Sequence, residues 1–189
     1  ATTEIYTLSL HDALPIFGLE AVGIDASLSL LREAPPGDAL LLGRAEALPL
    51  TGEALTTIFC ECVLSLVPSP EGVLRACLRV LAPAGALVLS DLYLPAPAGA
   101  ERPEARGASC AAGALSQAEM AELARKTGFE LVRWEDHTRL LKELAARIVF
   151  AHGSLDRFWA HVGLNGPPEH CCGRPGYCLM ICRKTGLER

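Results

Sequence analysis

The sequence predicts an α/β fold in which a mostly parallel sheet is covered by helices on both faces. Strand-like apolar runs such as 38–42 and 86–94 alternate with segments whose apolar residues repeat at helical spacing, as in 70–81. The runs are almost continuously apolar, which is typical of strands buried on both faces. At 189 residues the chain is long enough for one domain with a sizeable core.

Strands and helices alternate through the first half of the chain. Residues 19–25 form an apolar run that ends in an acid, and Ser27 is placed to cap a helix that Pro35 would stop. The other elements expected in this half are strands at 38–42, 56–63 and 86–94 and a helix at 70–81.

The second half begins with a segment rich in Pro, Gly and Ala at 95–114, which predicts a loop. Ser116 and Glu119 have the spacing of a capping box, and Gly128 would stop the helix that they begin. Strands are expected at 129–137 and 176–184. Between them, residues 138–152 predict an amphipathic helix with Leu140, Leu141, Leu144 and Ile148 on its inner side.

The first 16 residues differ in composition from the rest and are interpreted as foreign. Residues 4–16, EIYTLSLHDALPI, are the translation of a common sequencing adapter. The segment also lacks the cationic start and uninterrupted apolar stretch of a signal peptide. We therefore expect 1–16 to be an assembly scar and 17–189 to be a partial domain. The alternative is a native N-terminal strand, because Ile5, Thr7 and Ser9 alternate.

Composition and charge restrict the class of protein. The net charge is -5 and the basic residues are scattered, so no surface that binds nucleic acid is expected. No charge-free apolar run reaches the roughly 18 to 20 residues that span a bilayer. Eight cysteines without a secretory signal are typical of reduced thiols in the cytosol. The sequence therefore predicts a cytoplasmic protein that binds neither nucleic acid nor membrane.

Several motifs together resemble class I S-adenosylmethionine-dependent methyltransferases. They are the strand that ends in Asp25, GRAEALPL (43–50), ECVLSLVPSPEGVLRACLRVLAPAGALVLSDLY (61–93) and KTGFELV (126–132). The resemblance runs from about Leu19 to Lys184. It implies a Rossmann-like sheet of strand order 3-2-1-4-5-7-6 with an antiparallel last strand, S-adenosyl-L-methionine as cofactor and a small-molecule substrate.

The resemblance also implies cofactor-binding residues. Asp25, followed by Ala26, would accept hydrogen bonds from the ribose hydroxyls, as an acid does in dinucleotide-binding folds; capping of the next helix is the alternative. Arg44 and Ala45 stand where the family reads the adenine edge, although the family commonly has Asp at the position of Arg44. Cys60 is included as a cofactor-binding candidate, with packing inside its strand as the alternative.

The glycine-rich loop of this family is missing from the sequence. The family opens with a strand that leads to a D-x-G-x-G-x-G loop, where the backbone approaches the methionine portion of the cofactor. No such pattern occurs in the 189 residues. We expect that the adapter residues replace the first strand and this loop. We also expect that the literal chain neither folds robustly nor binds the cofactor, because the first strand would be central in the sheet.

Cys62 and Cys110 match two arsenic-binding cysteines of the arsenite methyltransferase subgroup. Soft thiolates suit a soft centre such as As(III), and the resemblance implies that they hold it for methyl transfer as catalytic residues. Glu61 and Ser109 depart from the subgroup, which has Asn and Glu at these positions. The alternative is that both cysteines are small buried hydrophobic residues.

The other cysteines and histidines are predicted to be mainly structural. Cys77, Cys178 and Cys182 are expected to pack in the core, and His137 and His152 to be structural. Cys171, Cys172 and His170 could form a soft metal site. The sequence leaves two alternatives to arsenite methylation open. The same kind of enzyme could methylate another small thiol, selenol, hydroxyl or amine, or the cysteines could belong to a non-catalytic metal- or thiol-binding protein.

Overall fold

The computed structural model describes five stretches of the chain, residues 20–34, 39–95, 113–155, 157–158 and 175–185. The chain divides into two compact units, residues 1–49 and 50–189. The described part of each unit contains one sheet. The predictions of a foreign segment at 1–16 and of a missing first strand fall outside the described residues and stay predictions.

The first unit contains two short parallel strands and a helix: β1 (Gly23–Asp25), α1 (Leu28–Glu33) and β2 (Leu40–Leu42). Ser27 caps α1, and its hydroxyl accepts a hydrogen bond from the main-chain amide of Leu30 at 3.4 Å. This cap satisfies one of the amides that have no partner inside the first helical turn. The predicted order of strand, helix and strand is therefore confirmed.

Among the described residues, the second unit contains a five-stranded sheet that alternates with helices. Two predicted elements match the structure residue for residue, the helix at 138–152 and the strand at 176–184. The elements are β3 (Leu55–Glu61), α2 (Pro70–Val80), β4 (Leu81–Leu94), β5 (Leu115–Ser116), α3 (Gln117–Lys126), β6 (Phe129–Asp136), α4 (Thr138–His152) and β7 (Gly176–Lys184).

The strand order of this sheet is β3-β4-β7-β6, and β5 pairs with β4 beyond this path. β3 and β5 are parallel to β4, whereas β7 is antiparallel to both β4 and β6. This order corresponds to the 4-5-7-6 half of the expected sheet, and β2-β1 corresponds to the 3-2 half. The expected mostly parallel sheet with an antiparallel last strand is thus confirmed in the described residues.

One face of the larger sheet forms the core of the second unit. From Gly85 to Tyr93 every second residue of β4 is buried, and α2 contacts this strand. Among these buried residues are leucines. The burial of each leucine side chain removes apolar surface from water and stabilises the fold by about 1.5 to 3 kcal/mol. None of the described helices is long and apolar enough to cross a membrane. The buried face of the sheet includes Leu87, Leu89, Asp91, Tyr93, Cys178, Met180 and Cys182.

Both ends of α3 match the capping signals predicted from the sequence. The Ser116 hydroxyl accepts from the amide of Glu119 at 3.3 Å, and the Glu119 carboxylate accepts from the amide of Ser116 at 2.8 Å. At the other end, Gly128 has φ of +92°, a left-handed conformation that favours glycine after a helix. The capping box and the Gly stop are both confirmed.

The beginning of strand β4 differs from its prediction. The strand was expected to begin at residue 86, but it begins at Leu81 and includes the segment LAPAG. Leu81 pairs with Leu55, and the register then shifts before Thr57 pairs with Ala86. The extra residues of β4 in this irregularity include Ala84, which has φ of +59°. A turn-like composition therefore lies inside a strand here, because a bulge accommodates it.

The inner side of α4 also differs from its prediction. Leu140 and Leu144 were expected to face the core, but their exposed fractions are 55% and 50%. The less exposed stripe of α4 lies on a different side of the helix from the one predicted, and the helix contacts β7. Several apolar stripes are available on this Leu- and Ala-rich helix, so its periodicity alone did not select the correct one. The half-buried stripe contains Leu141, Ala145, Ile148 and His152.

Candidate active site

The carboxyl ends of β3 and β4 and the beginning of β7 lie at the same edge of the larger sheet, because β7 runs antiparallel to the other two strands. Cys62 directly follows β3 at this edge and is exposed. Its main-chain amide donates to the carbonyl of Ser90 on β4 at 2.8 Å. Ligands of open α/β sheets bind outside the carboxyl ends of strands. Cys62 thus lies at the carboxyl ends of the strands, and its role as an arsenic ligand stays a prediction.

The backbone of Cys62 is left-handed, with φ of +51°. This conformation is uncommon for a residue with a Cβ and costs roughly 1 to 3 kcal/mol. It persists here because the hydrogen bond to Ser90 fixes one side of the residue. On the other side, the chain turns through Val63–Leu66, where the amide of Leu66 donates to the carbonyl of Val63 at 3.0 Å.

A buried carboxylate anchors this turn to β4. Asp91 is 1% exposed, and its Oδ1 accepts from the hydroxyl of Ser65 at 2.6 Å while its Oδ2 accepts from the amide of Ser65 at 3.0 Å. Oδ1 also accepts from the amide of Leu92 at 2.7 Å. A buried charge of this kind is tolerated only when its oxygens are hydrogen-bonded. The turn that carries Cys62 is thereby held against the end of β4.

The thiol of Cys62 contacts a phenol from β7. Its Sγ lies 3.9 Å from Oη of Tyr177, and the Ser90 side chain hydrogen-bonds the same phenol. Burial raises the pKa of Tyr177 above its ordinary value, and the hydrogen bond with Ser90 opposes that rise. Three residues from three adjacent strand ends therefore meet at the edge of the sheet.

Four other described thiols are buried in the second unit. Burial raises the pKa of Cys77, Cys178 and Cys182 to about 12 in each case, and it raises that of Cys60 as well. Thiols of this kind stay protonated near neutral pH and do not act as ligands. The prediction that Cys77, Cys178 and Cys182 pack in the core is confirmed. Cys60 is 7% exposed within β3, and its role in cofactor binding stays a prediction.

In the first unit, Asp25 ends β1 and is exposed. Its Oδ1 accepts a hydrogen bond from the amide of Ser27 at 2.6 Å, so it supports the start of α1, as the alternative interpretation expects. Ala26 lies between them and is also exposed. The arrangement leaves the carboxylate at the end of a parallel strand, where the family places its ribose-binding acid.

The turn after β2 carries the two predicted adenine-reading positions. The amide of Ala47 donates to the carbonyl of Arg44 at 3.0 Å, which closes the turn around Ala45. The guanidinium of Arg44 is mostly exposed and lies 3.4 Å from the carboxylate of Glu46. Arg44 therefore pairs within its own turn, and the Ala45 amide remains the stronger candidate of the two.

The predicted metal and histidine roles are only partly covered by the described residues. Among these, no group of three or more His, Cys, Asp or Glu side chains could hold a metal ion. Cys110, Ser109 and the cluster His170–Cys172 lie outside the described residues. His137 donates its amide to the carbonyl of Tyr177 at 2.7 Å, and the ring of His152 contacts that of Phe158; the structural roles of both histidines stay predictions.

Sequence reasoning missed Ser90, Asp91 and Tyr177. A signal for Asp91 was present, because the buried positions of β4 alternate and a charged residue occupies one of them. Tyr177 could have been placed by the antiparallel direction of the last strand, which brings its first residues to the ligand-binding edge. The contact with Cys62 depends on a side-chain rotamer that the sequence does not reveal.

Methyltransferases are among the known proteins with similar sequences and folds. Residues 4–89 match the family described as methyltransferase domain. Over 99 residues the chain is 34% identical to arsenite methyltransferase of Mus musculus, an alignment that covers 50% of this chain and 26% of that protein. The chain thus spans about a quarter of the length of this relative. The family match includes residues 4–16, whose foreign origin stays a prediction.

Two solved structures illustrate the fold. The arsenic(III) S-adenosylmethionine methyltransferase CrArsM of Chlamydomonas reinhardtii has a TM-score of 0.55 at 20% identity, covering 88% of this chain and 55% of that one. Phosphoethanolamine N-methyltransferase 2 of Haemonchus contortus, in complex with S-adenosyl-L-methionine, has a TM-score of 0.64 at 15% identity, covering 94% and 46%. The chain is thus similar to methyltransferases over residues 4–89 and shares the fold of these two solved structures.

Proposed function

We propose that this protein derives from an enzyme that methylates a small molecule, with As(III) bound by Cys62 and Cys110 as the acceptor. The observation that carries the proposal is the position of Cys62, an exposed thiol directly beyond the carboxyl end of β3. The similarity to mouse arsenite methyltransferase supports the same acceptor. Thiolates are the preferred protein ligands of soft, thiophilic centres.

The described residues of the first unit fit the adenosine half of S-adenosyl-L-methionine. A carboxylate can accept about four hydrogen bonds, and that of Asp25 accepts one from Ser27, which leaves acceptor capacity for a ribose diol. The amide of Ala45 would contact the adenine edge. The sequence contains no D-x-G-x-G-x-G pattern for the methionine half. The fit is therefore to one half of the cofactor.

In the proposed mechanism the protein mainly positions the acceptor. When bound, S-adenosyl-L-methionine supplies an electrophilic methyl group on a sulfonium sulfur. Cys62 and Cys110, as thiolates, would bind As(III) through two sulfur bonds and leave its lone pair available. No strong general base is required, because the lone pair carries no proton, and orientation supplies most of the rate enhancement. Asp91 contributes by fixing the turn that follows Cys62.

Arsenic binding is tested with the purified chain. We expect arsenite to remain bound through gel filtration, measured as arsenic per chain, and most of it to be lost in Cys62→Ser and in Cys110→Ser. The double variant Cys171→Ser/Cys172→Ser is the matched control and should bind as the parent does. Full binding by both single variants would overturn the proposal. Loss of binding in the double variant alone would instead favour the non-catalytic thiol-binding alternative.

The acceptor is tested separately, since a methyltransferase could act on another small thiol, selenol, hydroxyl or amine. Transfer of labelled methyl groups to arsenite by an intact homologue, with loss in its equivalents of Cys62 and Cys110, would support As(III). Transfer to other acceptors that does not depend on either cysteine would support the alternative substrates. Both outcomes are consistent with methyl transfer as the reaction.

We also propose that a polypeptide of exactly this sequence is inactive. The reason is the missing glycine pattern, without which the backbone cannot approach the methionine portion of the cofactor closely. Isothermal titration with S-adenosyl-L-methionine is expected to show no micromolar binding. Micromolar binding by this exact polypeptide would contradict the proposal.

A further inference from the structure

Tyr177 is held rigidly at the edge of the sheet by main-chain hydrogen bonds on both sides. Its amide donates to Oγ1 of Thr138 at 3.2 Å, and its carbonyl accepts from the amide of His137 at 2.7 Å. The residue also pairs with Leu92 on β4. Its main chain therefore cannot shift without moving the corner between β6 and α4.

The phenol of Tyr177 lies between two groups that fix its direction. Ser90 hydrogen-bonds the phenol oxygen, and Sγ of Cys62 lies 3.9 Å from the same oxygen. Ser90 is also the residue whose carbonyl accepts from the amide of Cys62. The main chain of Cys62 thus hydrogen-bonds Ser90 of β4 directly. The side chain of Cys62 is linked to the same residue through the phenol of Tyr177.

The phenol keeps its proton near neutral pH. Burial raises the pKa of Tyr177, and the neighbouring charges of Cys62 and Glu61 raise it further, while the hydrogen bond with Ser90 lowers it. A protonated phenol is a hydrogen-bond donor, and a thiolate is an acceptor. Hydrogen bonding to the charged form of a group favours that form.

We propose that Tyr177 is a positioning residue for the acceptor site: its hydroxyl, oriented by Ser90, donates a hydrogen bond to the Cys62 thiolate and holds that sulfur ready for the substrate. The identity of the substrate rests on the function proposed above. The hydrogen bond itself is a property of this chain and is measurable without any substrate.

A purely structural role for Tyr177 makes a different prediction. If the ring only packed against the sheet, loss of its hydroxyl would leave the acidity of the Cys62 thiol unchanged. The positioning role requires that this loss make the thiolate harder to form. The reactivity of Cys62 as a function of pH therefore separates the two roles.

The experiment measures the rate at which iodoacetamide alkylates Cys62, resolved by peptide mass spectrometry, between pH 6 and 10. In Tyr177→Phe we expect the midpoint of the rate profile to move to higher pH. We also expect alkylation at pH 7 to slow roughly threefold to tenfold, as for the loss of one hydrogen bond to a charged group. Tyr93→Phe is the matched control, because this hydroxyl bonds to Thr138 and Asp136 instead. Its profile should equal that of the parent.

Ser90→Ala provides a second, independent variant should Tyr177→Phe fail to fold by circular dichroism. It should move the midpoint in the same direction by a smaller amount, since the phenol stays but is less well oriented. A profile equal to that of the parent in the folded variants would overturn the inference. If the midpoint moves but arsenite does not protect Cys62 from alkylation in the parent chain, the positioning role stands and the proposed acceptor falls.

Discussion

The carboxylate of Asp91 and Ser65 are joined by two hydrogen bonds, one from the serine hydroxyl and one from its amide. The two residues are 26 positions apart in the chain. Asp91 is almost completely buried near the end of β4, whereas Ser65 lies in the turn just after Cys62. This pair links the core of the larger sheet to the candidate acceptor site, so its loss should affect both stability and the thiol.

The first prediction is that Asp91→Asn lowers the free energy of unfolding by about 2 kcal/mol. The new amide group can present a donor to the Ser65 amide, and a hydrogen bond to a charged group is lost. Urea denaturation followed by circular dichroism measures the change. Ser65→Ala removes only the hydroxyl and should cost about 1 kcal/mol. If the double variant costs as much as the sum of the two, the pair is not coupled and this prediction fails.

The second prediction concerns the capping box of α3. Ser116→Ala removes the acceptor of the Glu119 amide, and we expect a loss of about 1 kcal/mol in the free energy of unfolding. Gln117→Ala, on an exposed neighbour in the first turn, is the control and should change stability by less than about 0.5 kcal/mol. Equal denaturation midpoints for Ser116→Ala and the parent would show that the cap contributes little.

Much of the fold was predictable from local signals. The caps at Ser27 and Ser116, the stop at Gly128 and the apolar strand at 176–184 depend on neighbouring residues, so the sequence reveals them directly. The inner stripe of α4 was not predictable in this way. None of its side chains is fully buried, and which of them are half-buried depends on tertiary contacts of the helix, such as that with β7.

The sequence predicted only those residues of the candidate site whose position depends on local signals. Asp25 and Cys62 follow directly from apolar strands, so their placement at strand ends could be expected from the sequence. Tyr177 and Cys62 are 115 positions apart, and only the antiparallel pairing of β7 with β4 brings them together. Contacts of this kind depend on topology and side-chain rotamers, which local patterns do not encode.

The third prediction concerns stability at high pH. Burial raises the pKa of Cys182 to about 12 in the folded chain, above the value of about 8.5 for an exposed thiol. The folded chain therefore holds a proton that the unfolded chain releases above about pH 9. The stabilising contribution is complete below this pH and is lost as pH rises toward 12, with a slope of at most about 1.4 kcal/mol per pH unit for one thiol.

The measurement is urea denaturation at several values between pH 8 and 11, with Cys182→Ala as the matched variant. Tyrosines and lysines also titrate in this range, so the difference between the two curves isolates the thiol. We expect the free energy of unfolding to fall less steeply with pH in the variant. Parallel curves would mean that Cys182 ionises equally easily in both states.

The last prediction concerns the close approach of β7 to β4 at Gly176. A Cβ added there would overlap the ring of Tyr93, at 2.6 Å from its Cζ, and would lie 2.7 Å from Oγ1 of Thr138. Tyr93 cannot move aside easily, because it is buried and its ring packs edge-on against Trp134 with centroids 5.3 Å apart. We therefore expect Gly176→Ala to lower the free energy of unfolding by roughly 1 to 3 kcal/mol, as overpacking does in cores.

Gly52→Ala is the control for this prediction. Its Cβ would meet only the carbonyl of Arg79 at 3.4 Å, so the substitution should leave the free energy of unfolding within about 0.5 kcal/mol of the parent value. Similar urea midpoints for both alanine variants would show that the sheet edge beside Tyr177 is looser than these distances imply.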